Sequence, residues 1–199
     1  MNHPCHVFVV VACVFVSLSA VAANPKKGAG SQAPHNSPGH ELAPLDAHAC
    51  AGSVMSPPKG LKEVKDASFN ATPPLDKTDN GKLCKAKVFE VVSPVTVYRV
   101  WNKSKAYTEK GQWWSFSRPK GPVSQYRHDN EICPEWSDLD MLTQCKLKVG
   151  SKIAVGPGQS AKCATLTYPK SAVNQVFVPN DGRKGVFHVD NCSKPVAWP

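Results

Sequence analysis

The chain has 199 residues, with 24 Lys plus Arg against 15 Asp plus Glu, a formal net charge of +9 and 41% hydrophobic residues. That length holds one modest globular domain with attachments and excludes a multidomain machine. Beyond the N-terminal stretch, no apolar run is long enough to cross a bilayer.

The first feature in chain order is the apolar run VFVVVACVFVSLSAV over residues 7–21, followed by Ala22 and Ala23. It is too short for a stable anchor and ends in small residues, so residues 1–23 are expected to be a secretory signal peptide. No Asp, Glu, Lys or Arg lies in that stretch, so the whole positive charge belongs to the exported chain. Cleavage also removes Cys5 and Cys13, leaving Cys50, Cys84, Cys133, Cys145, Cys163 and Cys192. An even set in an exported chain predicts a framework of up to three disulfides, whose connectivity the sequence leaves open. No Cys-x-x-Cys pair exists, and no metal is expected on these thiols.

Residues 24–61 are dense in Pro, Gly, Ser, Ala and His and nearly devoid of β-branched or aromatic residues. Such a stretch buries too little apolar surface to offset its ordering entropy and is expected to be a disordered spacer, with Cys50 as the point that pins its end. His35, His40 and His48 fall in it and are expected to hold no metal. The globular domain is expected over residues 62–199.

The domain is expected to be α+β and mostly β: a small, curved, antiparallel or mixed sheet core with one or two short helices, stapled by disulfides. Runs of β-branched and aromatic residues predict strands over 87–92, 95–101, 112–117, 146–149, 152–155, 175–178 and 186–189. Ser93-Pro94 and Gly150-Ser151 supply turns. Ser137 and Asp140 predict a capping box opening a helix that buries Leu139 and Leu142. Three Asn-x-Ser/Thr sequons, at Asn70, Asn102 and Asn191, are candidate glycan acceptors.

Several residues invite a chemical reading. Arg99 lies in mid-strand within VTVYRVW. A guanidinium keeps its charge, so its burial calls for an anion or a carboxylate, and its planar fork suits a phosphate. On residue type alone, a solvent-exposed edge position or a pair with an acid such as Glu90 is the more ordinary explanation. The run GQWWSFSRP places Trp113, Ser115 and Ser117 on one strand face and Trp114 and Phe116 on the other. One Trp is expected in the core; the other, beside two hydroxyls and Arg118, suits a planar ring carrying a sugar. Tyr126, Arg127 and His128 add donors, and the glycine-flanked loop ending at Gln159 permits close backbone approach.

An Arg-bearing strand, an aromatic and Ser-containing strand, a Tyr-Arg segment, a Gly-x-x-Ile-Ala run reaching Gln159, and a strand opening near Gln175 occur here in order. That order resembles the tuberculosis necrotising toxin-like NAD glycohydrolases and related polymorphic-toxin domains with an ADP-ribosyltransferase-like core, over roughly residues 95–179. The glycine run that precedes the terminal Gln in that family is absent here.

The resemblance implies an exported toxin or effector that hydrolyses NAD to nicotinamide and ADP-ribose, with NAD as substrate and no resident cofactor. It implies Arg99, Ser115 and Gln175 as catalytic residues. Trp113, Trp114, Ser117, Arg118, Arg127 and Gln159 become substrate-binding, and a host or target-cell protein is a further partner. Asp181 and Asp190 are the carboxylates considered for acid–base work. Two other classes compete. A ribonuclease-type toxin would pair His128 with His188. A non-enzymatic basic protein would bind glycans, membranes or a host protein. Lysines scattered along the chain argue against a nucleic-acid groove.

Overall fold

A computed structural model describes residues 49–66, Phe69, Leu75 and 78–199, all within the unit Pro44–Pro199. The expected signal peptide, most of the expected spacer and Asn70 lie outside the described residues.

Among the described residues the protein is mostly β, with eleven strands in antiparallel sheets. The strands are β1 (Leu61–Val64), β2 (Lys87–Val91), β3 (Thr96–Trp101), β4 (Trp113–Trp114), β5 (Met141–Leu147), β6 (Lys152–Pro157), β7 (Ala161–Lys162), β8 (Thr167–Tyr168), β9 (Asn174–Phe177), β10 (Val189–Asp190) and β11 (Val196–Ala197). A 3-10 helix, Lys103–Thr108, follows β3, and one α-helix, α1, spans Val123–Asp129.

One sheet runs β1-β2-β6-β9-β4; in a second, β5 pairs with β3, β10 and β11; β7 and β8 form a ribbon. Tyr98 and Ser115 join the two larger sheets by exchanging backbone hydrogen bonds of 2.8 and 2.9 Å. Phe89, Val91, Ile153, Val155 and Val176 from the first sheet pack with Val97, Cys145 and Leu147 from the second in one core cluster. β-Branched residues fit this pleated, buried surface, which is why the alternating runs become strands.

Three disulfides staple the fold: Cys50–Cys84, Cys133–Cys163 and Cys145–Cys192. The first ties residues 49–60 to the domain. Asn174 holds the same segment through its side chain, accepting from the Met55 N–H at 3.1 Å and donating to the Ser53 carbonyl at 2.9 Å.

The expected strands at 87–92, 95–101, 152–155 and 175–178 correspond to β2, β3, β6 and β9 within a residue or two. The expected 112–117 strand contracts to β4 plus the Ser115 bridge; of the expected 186–189 strand only Val189 lies in a strand, β10, while Val186 forms an isolated bridge to Asp181. The helix expected from Ser137 does not form. The Ser137 and Asp138 carbonyls, which a helix would use for its i→i+4 bonds, accept from the Arg127 guanidinium at 2.6 and 3.3 Å. Leu139 takes a left-handed backbone (φ 58), and the chain enters β5 at Met141. Leu139 and Leu142 are both buried, as expected, but against Val100 and Trp198 from a loop and a strand.

The helix that does form, α1, turns Val123, Tyr126, Arg127 and Asn130 inward at the i, i+3, i+4, i+7 spacing of a helical face. Val123 and Tyr126 pack on the Val100–Leu139–Leu142–Trp198 cluster, and the Tyr126 and Trp198 rings meet edge-on at 5.1 Å.

Candidate functional site

A cavity of about 360 Å³ opens where β3, β4, α1 and β9 meet, and its walls include Arg99, Trp113, Trp114, Tyr126, Glu131 and Gln175. Five residues given a chemical reading from the sequence, Arg99, Trp113, Trp114, Tyr126 and Gln175, thus converge on one hollow, although up to 76 positions separate them in the chain.

Arg99 leaves β3 half-buried beneath the turn that follows the 3-10 helix. Its Nε donates to the Thr108 carbonyl at 2.8 Å and its Nη1 to the Trp113 carbonyl at 2.7 Å. Gly111 lies against the guanidinium so closely that a β-carbon would overlap Nη2. The turn is held from below. Asn180 donates to the Lys110 and Gly111 carbonyls at 3.1 and 2.9 Å, and the Trp114 indole N–H donates to the same Gly111 carbonyl at 2.8 Å. No carboxylate forms an ion pair with Arg99 among the described residues. Burial lowers its pKa from 12.5 to about 10, so the group keeps its charge at neutral pH. Two backbone carbonyls fix the fork while leaving its charge uncompensated.

The tandem tryptophans divide as their alternation requires. Trp114 is buried in the main core, whereas Trp113 is half-buried and meets the Phe177 ring edge-on at 5.3 Å. Both border the cavity.

The cavity wall also includes a residue the sequence reading passed over. Glu131, just beyond α1, has 0% exposure and a left-handed backbone (φ 47), a conformation that costs a non-glycine residue about 1–2 kcal/mol. Its Oε2 accepts from the Gln175 Nε2 at 2.6 Å, and its Oε1 has no hydrogen-bond partner. Burial drives its pKa up from 4.5 to about 9; Ser171 and Gln175 partly offset the rise, and the nearby Asp129 charge adds to it. The carboxyl therefore carries a proton at neutral pH.

Gln175, from β9, is 4% exposed and also donates through Nε2 to the Asn130 carbonyl at 3.3 Å. With both partners drawn to the amide nitrogen, the amide oxygen is the end left for a ligand.

The other expected site residues lie elsewhere. Ser115 is spent on the sheet junction, its hydroxyl donating to the Ser117 carbonyl at 2.8 Å. Ser117 and Arg118 are exposed beyond it. Arg127 ties the Ile132, Cys133, Ser137 and Asp138 carbonyls together. Gln159 is buried and accepts from the Ser160 N–H at 3.0 Å. None of these five borders the cavity.

Asp181 closes a turn by accepting from the Arg183 and Lys184 N–H groups, and Asp190 lies in β10; neither borders the cavity. His128, on α1, and His188, whose ring lies 3.2 Å from the Ser151 hydroxyl, are also absent from its walls. Asn102 is buried, with its Oδ1 capping the 3-10 helix through the Ser104 N–H and hydroxyl. Asn191 is exposed in a left-handed turn (φ 44). A metal-like grouping of Cys133, Glu135 and Cys163 has both its sulfurs joined in a disulfide.

No family model matches the sequence, and no curated protein matches it. Among solved structures the chain is similar to one described as Tne2 in complex with Tni2, at 18% sequence identity and a TM-score of 0.42. The match covers 58% of this chain and 93% of that one.

Proposed function

We propose that the chain is an exported enzyme that hydrolyses NAD to nicotinamide and ADP-ribose in the Arg99–Gln175 cavity. One observation carries the reading: a fixed guanidinium without an acidic partner shares a hollow with an indole edge and a buried amide whose oxygen is uncommitted. Arg99 offers its remaining N–H groups to the pyrophosphate, for which a planar fork is the fitting donor. Trp113 gives the nicotinamide ring an apolar surface.

Hydrolysis breaks the bond between ribose C1′ and the ring nitrogen. The electron pair goes to the nitrogen, the ring becomes neutral, and positive charge develops on the sugar. The Gln175 amide oxygen is a preorganised dipole for that charge or for the water that bonds to C1′. In this reading the roles inferred for Ser115, Ser117, Arg118, Arg127 and Gln159 are withdrawn, because their side chains serve the scaffold or the outer surface.

Three disulfides support folding in an oxidising compartment, in keeping with a signal peptide over residues 1–23. Among the described residues no helix is long and apolar enough to cross a membrane.

Incubating the purified, folded protein with NAD and resolving the products by chromatography tests the reading. Equimolar nicotinamide and ADP-ribose are expected. An intact NAD pool after prolonged incubation removes the enzyme.

A further inference from the structure

Among the described residues, Glu131 is the one acidic residue bordering the cavity. Its carboxyl is fully buried, forms no ion pair among the described residues, and leaves one oxygen without a hydrogen-bond partner. Such a group is costly, and packing alone does not call for it. The surroundings are nevertheless shaped to admit it. Gly158, at the end of β6, lies directly against both carboxyl oxygens, where any β-carbon would overlap them. Ser171 faces the same place: its N–H donates to the Gly158 carbonyl, its hydroxyl oxygen accepts from the Val173 N–H at 3.0 Å, and it favours the ionised form of the carboxyl.

Resting on the NAD reading above, we propose that Glu131 recognises the cationic pyridinium ring of the substrate: it is protonated in the empty cavity, loses that proton when the cation enters, and then accepts the proton of the attacking water.

The charges around the carboxyl fit this cycle. Asp129, on α1, favours the protonated state, and Gln175, from β9, and Ser171, from the loop before it, favour the ionised one. Gly158, the residue after β6, is uncharged. Arg99 of β3, Lys82 and Tyr126 stand on the cavity walls; burial raises the Tyr126 pKa to about 12, so the phenol stays neutral. Burial holds the Glu131 proton up to about pH 9. A cation within about 4–6 Å favours a carboxylate roughly ten- to a thousandfold, which takes the carboxyl at pH 8 from mostly protonated to between about half and almost fully ionised.

The step balances. One proton leaves to solvent on binding, the glycosidic electron pair neutralises the ring, and the proton of water goes to the carboxylate as its oxygen bonds to C1′. Neutral nicotinamide then departs from a protonated Glu131, which is the resting state.

Calorimetric titration of the intact protein at pH 8, in two buffers of different ionisation heat, tests this with two probes: the N-methylnicotinamide cation and neutral nicotinamide. The cation is expected to release between about half and one proton per ligand, and nicotinamide none. This contrast is read on the unmodified protein and needs no variant to fold. In Glu131→Gln, checked for native circular dichroism, the cation is expected to release none and to bind at least tenfold more weakly.

Cation binding without proton release, or release that persists in Glu131→Gln, overturns the inference. If the protein hydrolyses NAD and yet shows either result, this inference falls and the NAD reading stands. If neither probe binds and NAD is untouched, both fall together.

Discussion

Gly158 and Glu131 fit together as a socket and its plug: the glycine leaves the volume in which the carboxyl sits. Gly158→Ala is therefore expected to displace Glu131, destabilise the protein by about 1–3 kcal/mol through overpacking, and abolish most NAD turnover. Urea unfolding read beside the nicotinamide assay checks it. An alanine variant of native stability and activity would contradict the packing described.

Arg99 holds two carbonyls as well as facing the cavity. Arg99→Lys keeps the charge but cannot serve both the Thr108 and Trp113 carbonyls with one compact ammonium. Steady-state kinetics are expected to show KM for NAD raised at least tenfold. Arg99→Ala adds a stability loss of about 1–3 kcal/mol, because the carbonyls lose their donors in a half-buried setting.

The protonated carboxyl makes stability depend on pH in a definite direction. In the folded chain Glu131 keeps its proton to about pH 9, whereas an ordinary carboxyl loses it near 4.5. Between those values the folded state binds more protons than the unfolded state, so stability falls as pH rises. Below the window no penalty exists, and above it the loss is complete. Denaturant titrations are expected to give a wild-type-minus-Glu131→Gln difference that shrinks by on the order of 3 kcal/mol from pH 5 to pH 8. A difference independent of pH would contradict the buried, protonated state.

The disulfides are unequal in consequence. Cys145 is fully buried in the main core, and its bond to Cys192 ties the C-terminal segment to β5. Replacing both by Ala is expected to cost about 2–4 kcal/mol. Replacing Cys50 and Cys84 by Ser releases residues 49–60, seen as faster amide exchange there, while the sheets keep their protection.

Much of the architecture was legible because its signals are local. Period-two runs such as VTVYRVW and KIAV fix strand faces within a few residues, and they located β3 and β6. The miss at Ser137 has a local cause as well: a capping pattern was present, but Arg127 claimed the carbonyls a helix needs. Helix α1 is seven residues long, so its inward face offers barely two turns of periodicity to read.

By itself the sequence determined the even cysteine set, the β-rich core and the anomaly of a charged residue in mid-strand. Those follow from composition and from spacing over a few positions. Only the tertiary structure decided which residues share a cavity, that Ser115 and Arg127 belong to the scaffold, and that Glu131 stands beside Gln175, 44 positions away. A carboxyl's affinity for its proton depends on how much water and charge surround it in three dimensions. Asn130-Glu131 at a helix end looks like any solvated terminus until β6 and β9 close over it.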